Sequence, residues 1–106
     1  MTIISSQHYI NWETVEEKME QLKGKSNITI PCAYVGEIDG EEYAIQIDGH
    51  HTLVAARELG IEVEFDVHED DEGLEGEALL DARYMDGDYY NVETSDPEND
   101  IFDLVW

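Results

Sequence analysis

The sequence predicts an α+β domain, a small mixed sheet with helices packed on it. Three observations carry that prediction. Segments of period-two alternation interleave with helical segments in the order β, α, β, β, α, β. A glycine closes each helical segment of that run, and an Asp-Gly pair separates the two central strands. The 106 residues suffice for one hydrophobic core, with no disulfide or metal staple required.

Residues 2–10 begin with apolar Ile3 and Ile4 and read as a strand ending near Tyr9 and Ile10. Asn11 is placed to cap a helix, and Glu13 suits its first turn. Val15, Met19 and Leu22 recur at i, i+4 and i+7, opposite Glu16, Glu17, Glu20 and Lys23. Lys23 and Gly24 end this helix. Residues 28–36 (ITIPCAYVG) are strand-like, with Pro31 predicting either an edge strand or one that starts after the proline. Asp39-Gly40 is a hairpin turn, and Tyr43, Ile45 and Ile47 alternate on the strand returning from it. Leu53, Ala56 and Leu59 mark a short helix stopped by Gly60, and Ile61, Val63, Phe65 and Val67 mark another strand.

Beyond it, residues 68–77 (HEDDEGLEGE) form a charge run expected to be a mobile loop. Residues 78–84 suit a helix, Asp86-Gly87 a turn, 89–94 a strand and 95–100 another turn. The closing IFDLVW is too apolar for a disordered tail and either docks on the core or meets a partner. Residues 1–67 thus read as the core and 68–106 as an acidic helix-and-hairpin extension packed on the same domain.

Twenty-seven acidic residues against five basic ones give a net charge of −22. The imbalance is uneven. Residues 1–60 hold 10 acids and 4 bases, whereas residues 61–106 hold 17 acids and one base, Arg83. Such a field repels nucleic acid and anionic membranes and attracts a basic protein. No apolar run approaches the ~20 residues that span a bilayer. With one cysteine, Cys32, and no leader-like start, the expectation is a cytoplasmic protein.

The stretch Asp48, Gly49, His50, His51, Thr52 lies where a strand hands over to a helix. A glycine there permits a sharp turn, and the unpaired amides of the following helix favour an anion such as phosphate. His50 and His51 are the candidate catalytic groups and phosphate donors, and Asp48 is expected to cap the helix or orient a ring. His8, His50, His51 and His68 have no zinc spacing, and no metal ligand set is assigned.

Residues 28–67, with ITIPCAYVG, EYAIQIDGHHTLVAARELG and IEVEFDV, resemble the ParB/sulfiredoxin superfamily, in which a glycine-led loop joins a strand to a helix. The matching positions here are Gly49, His50, His51 and Thr52, followed by Ala55, Ala56 and Gly60. The resemblance implies a ParB/sulfiredoxin-like core and, among known activities, nucleotide binding, sulfinic-acid reduction, serine phosphorylation or nuclease action. Reductase loops read Gly-Cys-His-Arg and partition loops Gly-Glu-Arg-Arg; this chain has His50 and Thr52 where those supply cysteine, glutamate or arginine.

Two functions remain open. In the first, favoured by charge and by the missing loop arginines, a ParB-like antitoxin, immunity protein or nucleic-acid mimic blocks a basic partner. It does so without catalysis or cofactor, with Tyr89, Tyr90, Phe102 or Trp106 as apolar anchors. In the second, a nucleotide- or phosphate-dependent enzyme or sensor uses the Asp-Gly-His-His turn, with Mg²⁺ accompanying a triphosphate.

Overall fold

The computed structural model describes residues 1–105, so Trp106 lies outside the described residues. The elements run β1 (Thr2–Ser5), α1 (Trp12–Leu22), β2 (Asn27–Ile38), β3 (Glu41–Gln46), α2 (His50–Leu59), β4 (Glu62–His68), α3 (Gly76–Ala82), β5 (Tyr90–Asn91) and a 3₁₀ turn at Pro97–Asn99. The α+β class holds: three helices flank one mixed five-stranded sheet ordered β4-β2-β3-β1-β5. β1 runs parallel to β3, and β4 parallel to β2. β3 folds back on β2, and β5 pairs antiparallel to β1 at the opposite edge from β4.

Local chemistry explains most element boundaries. The Asn11 side chain accepts from the Glu13 and Thr14 amides and starts α1. Asp39 and Gly40 both adopt positive φ, 52° and 84°, as a tight two-residue hairpin requires. Gly60, at φ 70°, closes α2, and Ile61 donates back to the Ala56 carbonyl.

Three expectations are corrected. β2 is central rather than an edge and runs straight through Pro31. Ile47 donates to the Pro31 carbonyl at 3.2 Å, and the return bond is the one a proline cannot make. The β2–β3 ladder ends there, one residue before Asp48. The first strand stops at Ser5 rather than near Ile10, because Ser5 Oγ accepts from the Gln7 amide and Asp86 accepts from the amides of His8 and Tyr9. The strand expected over residues 89–94 shrinks to Tyr90–Asn91.

The charge run at 68–77 is more organised than its composition suggests. Buried Asp70 accepts from the amides of Glu72 and Leu74 and from Arg83 Nη2, all at 3.1 Å. Burial alone would raise its pKa; the Leu74 amide, the Arg83 guanidinium and the Glu72 amide outweigh that and hold it below 3.8.

Alternation along the strands divides the core between the two sheet faces. Ile3, Cys32, Ala44 and Tyr90 join Val15 and Leu22 of α1 and Leu53 to Ala56 of α2. Their neighbours Ile4, Ala33, Ile45 and Tyr89 pack with Leu79 of α3 on the other face. The C-terminal segment docks in cis, with Phe102 on the first cluster and Val105 on the second. Ile101 and Leu104 face outward.

Candidate functional site

β1 and β3 lie side by side and parallel, so their carboxyl ends stop together at one end of the sheet. Both turns beyond those ends lead into helix N-termini, the usual setting of a ligand crevice in sheets with helical crossovers. Gly49 makes the sharper turn. It sits at φ 83°, its carbonyl accepts from Leu53 at 2.8 Å, and a Cβ built on it would stand 2.9 Å from Ile30 Cδ1. Only glycine fits this approach between turn and sheet without strain.

Asp48 does not play its expected part. Its Oδ1 accepts from the Gly49 amide at 2.7 Å, α2 has no side-chain cap, and neither histidine ring meets it. The rings are held instead by the chain entering α1. His50 Nε2 lies 3.0 Å from the Tyr9 carbonyl, and His51 Nε2 accepts from the Asn11 amide at 3.0 Å. A carbonyl only accepts and an amide only donates, so His50 carries its proton on Nε2 and His51 on Nδ1. Burial, with the neighbouring His51 adding to it, lowers the His50 pKa to about 4, against a smaller opposing pull from the Tyr9 carbonyl and Asp86. Burial and then Lys18 lower that of His51. Both rings are therefore neutral near pH 7.

These residues line a cleft of about 400 Å³. Its wall includes Ser5, Ser6 and Gln7 after β1, Gln46 to Thr52 around the second turn, and Thr14 and Lys18 of α1. Ala82, Arg83 and Met85, from the end of α3 onward, complete the lining. All five expected site residues, Asp48, Gly49, His50, His51 and Thr52, are brought together. Two of the chain's five basic residues, Lys18 and Arg83, join them.

Lys18 and Arg83 escaped the sequence reading. Arg83 left a trace, being the one base in the acidic half. Its guanidinium is anchored on Asp70 through one nitrogen. Lys18 makes no ion pair or hydrogen bond among the described residues.

Other candidates fall away from the site. Among the described residues no group of three or more His, Cys, Asp or Glu side chains is placed to hold a metal. Cys32 is buried in β2, where desolvation, then Asp66 and Glu93, push its thiol up to about 12. Tyr89 and Tyr90, expected as interface anchors, are turned inward at 6% and 2% exposure, with hydroxyls donating to the Leu80 and Gln7 carbonyls. Phe102 stacks on His8, centroids 4.0 Å apart. No described helix is long and apolar enough to cross a membrane. Comparison with known proteins finds no matching family model, curated protein or solved structure.

Proposed function

We propose that the chain binds a small phosphate-bearing ligand in the cleft at the head of α2, as a receptor rather than by turnover. A nucleotide is the form suggested by the ParB/sulfiredoxin resemblance. One observation carries the reading: in a chain of net charge −22, Lys18 and Arg83 converge on the same turn as His50, His51 and the first amides of α2. A helix start, an ammonium and a guanidinium together form a donor set for phosphate oxygens, and arginine adds the planar fork that suits them. Thr52 supplies a hydroxyl. Asp48 is the carboxylate available to a Mg²⁺ travelling with a triphosphate.

Thermal melting with ATP, CTP or phosphate, with and without Mg²⁺, tests this directly. At ~100 times the dissociation constant a ligand adds about 2.7 kcal/mol, enough to raise Tm by several degrees. A Lys18→Gln, Arg83→Gln chain should lose the shift. Melting curves unmoved by all of these ligands at millimolar levels would end the reading.

The second reading is docking of a basic protein partner, of the antitoxin, immunity or mimic kind. The groove along α1 favours it: Glu13, Glu16 and Glu17 line it with Met19, Leu59 and the Glu20–Lys23 ion pair. This surface combines carboxylates for lysines and arginines with an apolar floor. Retention of a basic protein from native lysate at low salt, abolished by Glu16→Lys with Glu20→Lys, is the outcome it requires.

A further inference from the structure

Lys18, Arg83 and the amides that open α2 offer only hydrogen-bond donors to whatever enters the cleft. His50 differs from them. Its Nε2–H is committed to the Tyr9 carbonyl, which leaves Nδ1 with a bare lone pair and no partner among the described residues. The side chain is only 7% exposed, yet no described side-chain nitrogen or oxygen is both buried and unpaired. Nδ1 therefore opens on accessible space, and the space that His50 lines is the cleft.

We propose that His50 Nδ1 accepts a hydrogen bond from the ligand's own acidic proton. The cleft then selects a monoprotonated phosphate monoester over a sulfate ester of the same shape and charge. This specificity rests on the anion-binding reading. A sulfate monoester has no proton to donate and would set an oxygen lone pair against that of Nδ1, leaving a buried acceptor unsatisfied.

The surroundings keep this acceptor available. Facing His50 are His51 beside it on α2, Asp86 after α3 and His8 before α1; Lys18, which acts on His51, and Arg83 line the same cleft. Burial and His51 outweigh Asp86, so the ring stays unprotonated down to about pH 4. The hydroxyl and amide side chains of the lining, such as Ser6, Gln7 and Gln46, accept but also donate, so they suit either ester; Asp48 accepts only, but it is exposed to water and engaged with the Gly49 amide.

The experiment is a chemical-shift titration of the whole chain with methyl phosphate and with methyl sulfate. At about pH 5.5 the phosphate ester is mainly a monoanion, since its second pKa is about 6, so the two probes match in charge and shape and differ by one O–H. Methyl phosphate should bind roughly tenfold more tightly, the worth of one charge-assisted hydrogen bond, and His50→Phe, which has no ring nitrogen, should lose that preference. Equal binding of the two esters overturns the proposal while leaving the anion site standing. A preference that survives in His50→Phe assigns the acceptor to another group of the lining and also overturns it. If neither ester binds, the specificity and the anion-binding reading fall together.

Discussion

His50 and His51 meet edge to face, their ring centroids 5.1 Å apart and their planes at 83°, in opposite tautomers. The segment between β1 and α1 imposes this arrangement through one carbonyl and one amide, those of Tyr9 and Asn11. Consecutive residues on one helical turn thereby present different chemistry. His50 keeps a bare Nδ1 and His51 a protonated one. Neither state could have been assigned from the pair of letters.

Acid should weaken the fold through His50. From pH 6.5 down to about 4 the unfolded chain protonates this ring and the folded chain does not. The loss of stability thus begins near the ordinary value and is complete below the lowered one. It should amount to roughly 2 kcal/mol after allowance for solvent screening. Chemical denaturation of the parent and of His50→Gln across that window checks it: the two stability curves should converge as pH falls. Parallel curves would contradict the burial argument.

Gly49→Ala should lower stability by about 2 kcal/mol, combining a left-handed backbone with a crowded methyl. The crowding atom is Ile30 Cδ1, at 2.9 Å from the added carbon. Ile30→Val removes that atom at a cost of about 1 kcal/mol. The double variant should then be more stable than the sum of the two singles predicts, whereas simple additivity would rule out the contact.

Asp70→Asn should loosen the loop before α3 and release Arg83 from its anchor. Hydrogen exchange at the Glu72 and Leu74 amides reports the first effect, and weaker phosphate binding the second. Because the folded carboxyl titrates below 3.8, its contribution is present above that pH and is lost as pH falls through the depressed value. Unchanged amide exchange in the variant would show that the loop is held by something else.

Cys32 should resist thiol reagents in the native protein. A thiol pushed up to about 12 is far less ionised at pH 8 than an ordinary one. Its alkylation should run about a thousandfold slower than in the denatured chain. Rapid native labelling would mean that the β2 interior opens readily.

Elements set by near neighbours were legible in the sequence. Asn11 caps the helix that starts at the next residue, Asp39-Gly40 turns on its own backbone, Gly60 stops α2, and alternation in β4 marks which side is wet. The turn of Asp48 to Thr52 was legible as well, since a glycine between strand and helix requires no distant partner. Pro31 misled because its missing donor falls where β3 is already leaving the sheet, a matter of register between strands. Tyr89 and Tyr90 misled because their hydroxyls find carbonyls, which lets large polar-tipped rings go inside.

Tertiary structure alone decided what stands around the histidines. Lys18 arrives on α1 and Arg83 from the end of α3, and no periodicity reaches across such separations. Sequence pattern reports hydrogen bonds and packing within a few residues. The electrostatics of a cleft depend on which distant segments the sheet brings together, and here β1 and β3 end side by side.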